Sequence, residues 1–239
     1  MRLLLFILIC PLAGLSQSEW EQVEPQVFMD LIRAYEQSVA ANESYSLETA
    51  YRIYNDYKDV QPAQSFEGKL ICRGGKELNV SQMGQLMIQD ASVNISLDTA
   101  ARQLLVQKAD PSFFYRKTVQ DYSTFLEMTE VVYRKAMSNK TVFQLQLKKG
   151  GPYHSMEFTF SDKNFISQIV IYSNQPYYEE GDTYSGAKAK IVLDFKNFKK
   201  GKTVDFSHFR TVKECIQMKD NQLIPVGAYK DFEVIDLRN

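Results

Sequence analysis

The chain has 239 residues, with 28 Lys and Arg against 29 Asp and Glu, for a formal net charge of −1. A near-neutral chain carries no electrostatic footprint for nucleic acid, and its length suffices for one β-rich domain with a sizeable core. Aromatics reach 13 %, with 14 Tyr and 15 Phe, and these residues favour strands over helices.

Met1-Arg2 precede an unbroken apolar run, Leu3 to Cys10. A stretch rich in small or polar residues follows, Pro11 to Ser18, bounded by Glu19. A basic start, an apolar centre and a small-residue exit read as a secretory signal peptide. The run is far below the roughly 18–20 residues that span a bilayer. Gly14 and Ser16 supply the small side chains expected before a cleavage ahead of Gln17. Ile9 stands before Cys10 where a lipobox needs a small residue, so Cys10 is not read as a lipidation site. The expected organisation is a signal peptide over 1–16 and one domain over 17–239, exported and not transmembrane.

From Pro25 to Ala40, Val27, Phe28, Leu31, Ile32, Tyr35 and Val39 recur at helical spacing, and Pro25 suits a first helical turn. After Asn42 the period drops to two: Tyr45, Leu47, Thr49, Tyr51 and Ile53 predict a strand over about 45–56. Residues 66–108 read as a meander. Phe66, Gly68, Leu70 and Cys72 share one parity, and Arg73-Gly74-Gly75-Lys76 supplies a hairpin turn. Leu78, Val80, Leu86 and Ile88 carry the next strand or two, then Val93, Ile95 and Leu97, then Leu104 to Val106. Asp110 to Tyr115 is a loop with the aromatic cluster Phe113, Phe114 and Tyr115. Thr124 with Glu127 reads as a capping box. It predicts a second helix over 124–137, with Phe125, Met128 or Thr129, Val132, Tyr133 and Ala136 on one face. Strands resume at 141–147, 156–160, 165–172 and 191–195, with a Tyr-rich polar loop over 174–187. Phe209 to Met218 and Asp231 to Leu237 close the chain. About ten antiparallel strands and two helices make an α+β plan, in which a strongly curved sheet can enclose the helices.

Catalytic patterns are missing. His154 and His208 sit in no metal spacing, and no H-E-x-x-H, C-x-x-C or G-x-S-x-G occurs. No catalytic residue, metal ligand or cofactor is therefore expected, and the chain is read as a non-enzyme. The acidic knot Glu179-Glu180-Gly181-Asp182 lacks the ligand spacing of a calcium loop. Lys188, Lys190, Lys196, Lys199, Lys200 and Lys202 form a basic stretch, either a solvated face or a surface for an acidic partner or lipid head groups. Four N-x-S/T sequons begin at Asn42, Asn79, Asn94 and Asn139; they signify glycosylation only in a eukaryotic secretory path. A lipocalin would carry an early G-x-W strand, whereas Trp20 is the only tryptophan. Beyond the signal peptide two cysteines remain, Cys72 and Cys215; export permits a disulfide between them, and burial in strands makes them two thiols.

The order of elements resembles the family of the outer-membrane lipoprotein carrier LolA. A signal peptide is followed at once by an amphipathic helix. Phe66-Glu67-Gly68-Lys69-Leu70-Ile71-Cys72-Arg73 is similar to the family's E-G-x-L-x-x-R/K strand, and Ile191-Val192-Leu193-Asp194-Phe195-Lys196-Asn197-Phe198 to its late i-x-f-x-n-f strand. The meander ends in an apolar strand, Gln103-Leu104-Leu105-Val106. The chain departs from the bacterial carrier in Gly74-Gly75, where a proline would follow Arg73, and in an extension past about residue 205. The signal-peptide exit, with Gln17 next, is similar to exported proteins of the Bacteroidota. The resemblance implies an unclosed half β-barrel of antiparallel strands, its apolar concave face lidded by helices, that holds acyl chains in transit across the periplasm. Phe28, Leu31, Leu70, Leu86, Phe125 and Val132 are the expected cavity residues, and Met83, Met87, Phe113, Phe114 and Met128 fit either an adaptable lining or an ordinary core. Expected partners are lipid acyl chains or lipoprotein, an envelope protein, and transient membrane contact. The alternative is an envelope scaffold or accessory of a secretion or surface assembly that uses the same fold without lipid transport.

Overall fold

Two runs of strands, over 45–108 and 129–200, pair edge to edge into one sheet. The computed structural model describes residues 19–38, 44–82, 84–110, 126–161, 165–176, 187–220 and 222–238. The expected signal peptide, Met83, Phe113, Phe114, Phe125 and the knot at 179–182 lie outside them. In chain order the elements are β1 (Glu21–Val23), α1 (Pro25–Ser38), β2 (Tyr45–Tyr54), β3 (Gln64–Arg73), β4 (Glu77–Gln82), β5 (Gln85–Gln89), β6 (Val93–Asp98) and β7 (Gln103–Lys108). After them come β8 (Thr129–Met137), β9 (Lys140–Leu147), β10 (Tyr153–Ser161), β11 (Ile166–Ser173), β12 (Lys190–Lys200), β13 (Ile216–Lys219), β14 (Gln222–Pro225) and β15 (Glu233–Asp236).

Thirteen strands form one sheet in the order β1-β8-β9-β10-β11-β12-β2-β3-β4-β5-β6-β7-β15, and β13 pairs β14 separately. The order has two free ends, so the sheet is unclosed. At its middle seam β12 runs antiparallel to β2 from Lys190 opposite Tyr54 to Lys200 opposite Tyr45. The α+β plan with a large unclosed sheet stands, with three corrections. Thirteen strands replace about ten. One edge pair, β15 with β7, is parallel. Of the helix expected over 124–137, residues 126–127 are helical, whereas Thr129–Met137 are strand β8. Residues 129–137 fit both periods: Val131, Tyr133 and Lys135 lie on one side and Val132, Arg134 and Ala136 on the other, with a register shift between Thr129 and Val131. β-Branched Thr and Val prefer the pleat, and β1 and β9 flank β8 with backbone partners.

Two glycines answer to geometry. Gly74 holds φ +58 in the β3–β4 turn, a conformation that L side chains rarely adopt. At Gly68 a Cβ would meet Ser81 O and Thr49 Oγ1 at 2.7 Å, so neighbouring strands approach too closely for a side chain.

Each face of the sheet has its own cover. Pro25 starts α1 with the fixed φ of a first turn, and the helix turns Phe28, Met29, Ile32 and Tyr35 inward. They pack on Val132, Phe143, Leu145, Met156, Phe158, Phe160 and Ile166, with Phe195 alongside, so the helix covers β8 to β12. The Phe28 ring lies 5.0 Å from Phe158, 5.5 Å from Phe143 and 6.3 Å from Phe160, centroid to centroid. The C-terminal extension covers the other half. Cys215, Ile216, Val212, Leu223, Tyr229 and Phe232 pack on Ile88, Ile95, Leu97, Leu104 and Val106 of β5 to β7. Nearby, Val204 and Phe209 cover Ile71 of β3, and the buried Asn79 amide clasps the Arg210 backbone, donating to its carbonyl at 2.8 Å and accepting from its N–H at 2.7 Å.

Candidate functional site

In-register partners across a sheet share a face, so the pairing assigns every side chain to one of two sides. Ile169 pairs Phe158 and Leu193, and Leu193 pairs Tyr51. The face under α1 therefore continues onto β2, where Leu47 pairs Leu70. From Leu70 the row runs through Val80, Met87, Ser96 and Leu105 to Ile235. On this half of the face Leu70, Val80 and Met87 pack around the buried Tyr45, Cys72 and Leu78. A relay of rings joins the two halves: Tyr35 to Phe165 at 5.8 Å, Phe165 stacked on Phe198 at 4.7 Å, and Phe198 to Tyr45 at 6.3 Å. The result is one apolar face with unequal cover. Phe28 on the helix and Val132 beneath it are buried, as are Tyr45, Leu47, Cys72 and Leu78 on the other half, whereas the row Leu70, Val80, Met87 and Leu105 is half-buried.

The expected cavity residues divide accordingly. Phe28, Leu31 and Val132 meet in the helix cluster. Leu70 shares their face but belongs to the second cluster. Leu86 follows the opposite parity from Met87 and packs under the C-terminal extension, and Phe125 lies outside the described residues. Leu47, Val80 and Leu105, overlooked in the sequence, join Leu70; alternation within each strand was legible, but the register that puts them on one face was not. Cys72 and Cys215 are free, buried thiols in different clusters. Burial pushes the Cys72 thiol up, and burial with the Glu214 charge pushes Cys215 up to about 12. Neither environment makes a nucleophile.

The opposite face carries a polar groove of about 450 Å³ over β10, β11, β12 and β2, lined in part by Arg52, Glu157, Gln168, Tyr172 and Lys190. Asp194 is buried there, ion-paired with Arg52 and hydrogen-bonded by Gln168 Nε2 at 2.8 Å. Burial and the neighbouring Glu157 carboxylate raise the Tyr172 phenol. Lys190, one of the basic stretch, is internally engaged: its Nζ donates to the Tyr57 and Asp59 carbonyls and lies 4.3 Å from the Tyr54 ring centroid. Lys188, Lys196, Lys199, Lys200 and Lys202 are exposed. Both histidines are exposed, and Asp205 caps the Ser207 N–H at 2.9 Å, which holds its carboxyl below the usual range. Among the described residues no group of three His, Cys, Asp or Glu is placed to hold a metal, and no helix is long and apolar enough to cross a membrane.

No family model matches the sequence, and no curated protein matches it. Solved structures do. The chain is similar to a LolA superfamily protein of Nitrosomonas europaea at 11% identity, with 79% of this chain and 98% of that one covered and a TM-score of 0.32. It is similar to an uncharacterized conserved protein of Thermus thermophilus at 9% identity, covering 88% and 99%, with a TM-score of 0.44. A DUF1329 family protein of Desulfovibrio piger shows 12% identity over 77% and 96%, with a TM-score of 0.30.

Proposed function

We propose that this protein is an exported, non-catalytic carrier or binding protein for lipid acyl chains, of the LolA-like type suggested by its strand motifs. The observation that carries this reading is the unequal cover of one apolar face. The helix cluster fills its half with interlocked rings, whereas the row from Leu70 to Leu105 stays half-buried. An apolar surface left partly wet is costly, and each CH₂ laid on it contributes about 0.8 kcal/mol. A chain of a dozen methylenes therefore gains roughly 10 kcal/mol before ordering costs, the range from which a micromolar affinity of about −8 kcal/mol emerges. Met87 suits such a lining because a thioether adapts to irregular chains. Residues 17–239 act as the single carrier domain in the periplasm, and contact with the membrane or an envelope protein is brief, at loading and release.

The test is titration of residues 17–239 with a fluorescent fatty-acid probe. Micromolar or tighter binding is expected. Leu70→Glu should abolish it while the β-sheet circular dichroism persists. Leu86→Glu, on the opposite face, should leave probe binding intact if the fold survives. A wild-type protein that binds no probe, and whose thermal midpoint ignores added lipid, refutes the carrier reading and leaves the envelope scaffold in its place.

A further inference from the structure

At the β5–β6 end of the same apolar face sits a buried amide pair. Gln89 and Asn94 face each other across the two strands, and both are almost wholly buried, at 1% and 4% exposure. Asn94 Nδ2 donates to Gln89 Oε1 at 2.8 Å and lies 3.2 Å from Met87 Sδ, a member of the apolar row. Gln89 is held at both ends of its amide: its Nε2 donates to the Asp110 carbonyl at 2.9 Å, and its Oε1 also accepts from the Asp110 N–H at 3.2 Å. Asn94 Oδ1 is buried with no hydrogen-bond partner.

The orientation of both amides is determined by this network. Turning Gln89 over would set its NH₂ against the Asp110 N–H and its oxygen against the Asp110 carbonyl. Turning Asn94 alone would set two carbonyl oxygens together. The orphan is therefore an acceptor and not a donor. A buried acceptor left bare loses its hydration for nothing, and the amide that carries it borders the apolar row through its nitrogen, at Met87.

We infer that Asn94 Oδ1 is the polar anchor of the acyl site, and that the preferred ligand carries a hydrogen-bond donor, a hydroxyl or an amide N–H, beside its chain. The inference rests on the lipid-binding reading above. A plain acyl chain satisfies the apolar row but leaves the oxygen bare; a donor on the chain satisfies both. One such hydrogen bond, formed in a site that otherwise keeps an unpaired acceptor, is worth about tenfold in affinity.

Competition against the bound fluorescent fatty acid tests this with four ligands. They are tetradecanoic acid, 3-hydroxytetradecanoic acid, N-tetradecanoylglycine, and the ester analogue of the last, in which oxygen replaces the N–H. The wild-type chain should prefer the hydroxy acid over the plain acid, or the amide over the ester, by about tenfold. The pair that separates identifies the source of the donor. In Asn94→Leu the preference should fall to within about twofold while tetradecanoic acid still competes. Equal competition by all four ligands in the wild-type chain overturns the inference, and needs no variant to fold. A preference that survives in a folded Asn94→Leu also overturns it. Probe binding without discrimination removes the anchor alone, whereas absence of any probe binding removes the carrier reading and the anchor with it.

Discussion

Replacing Phe28 by Ala removes the ring on which the contact between α1 and the sheet converges. Phe28 is 0% exposed, and its ring meets those of Phe158, Phe143 and Phe160 at 5.0, 5.5 and 6.3 Å. A buried Phe→Ala change loses transfer energy and opens a cavity, together about 3–5 kcal/mol. The three ring contacts, each worth about 0.5–1.5 kcal/mol beyond area, place this site toward the upper end. At roughly 2–4 °C per kcal/mol for a chain of this size, a loss of 4 kcal/mol lowers the thermal midpoint by about 8–16 °C. Urea unfolding of residues 17–239, followed by far-ultraviolet circular dichroism, measures the difference directly. Phe28→Leu, which keeps most of the volume, should cost about 1.5 kcal/mol. A loss below about 1 kcal/mol for Phe28→Ala would mean that the helix does not seal a filled core, and the contrast between a packed half and an open half of the face would fall with it.

Asn79→Ala should loosen the C-terminal extension, since both hydrogen bonds to the Arg210 backbone are lost; limited proteolysis near residues 205–211 should accelerate, with about 1–3 kcal/mol lost in unfolding, and an unchanged cleavage pattern contradicts the clasp. Thiol counting of residues 17–239 in denaturant without reductant should find both Cys72 and Cys215 free; a chain with no reactive thiol would mean they are bridged. Because burial and the Glu214 charge push the folded Cys215 thiol up to about 12 from its ordinary 9, the folded state alone keeps its proton between those values. The contribution is thus fully present below pH 9 and is lost as pH rises toward 12, so Cys215→Ala should flatten the alkaline fall in stability, and a parallel pH profile refutes the assignment. Intact mass of the exported chain should begin at Gln17; retention of Leu3 to Cys10, or a diacylglyceryl group on Cys10, ends the periplasmic reading.

Periodicity made most of the sheet readable from the residues. The strands expected over 45–56, 66–73 and 141–147 are β2, β3 and β9 to within two residues at most ends, and α1 begins at the expected Pro25. These segments are strongly patterned, and local alternation or helical spacing is a property of the chain alone. β8 shows where that property stops. Val132, Tyr133 and Ala136 satisfy a helical stripe as well as a pleat, and the choice falls to β1 and β9, distant in sequence, which supply the hydrogen-bond partners. β1 is only three residues long and has no pattern of its own; it exists because β8 offers it an edge. The parallel β15 is likewise a product of its neighbour β7.

The candidate site divides in the same way. The apolar character of Leu70 and Leu86 was plain in the sequence, but their faces were not. The register through β3, β4 and β5 sends Leu70 to the open side and Leu86 beneath the C-terminal extension. Asn94 read only as part of a glycosylation sequon. That its nitrogen is held and its oxygen bare depends on Gln89 and on the backbone of Asp110, brought together by the meander. Composition and period are one-dimensional and determine which residues are apolar and which segments extend. Face, partner and the satisfaction of a buried polar atom depend on non-local register, and only the assembled sheet decides them.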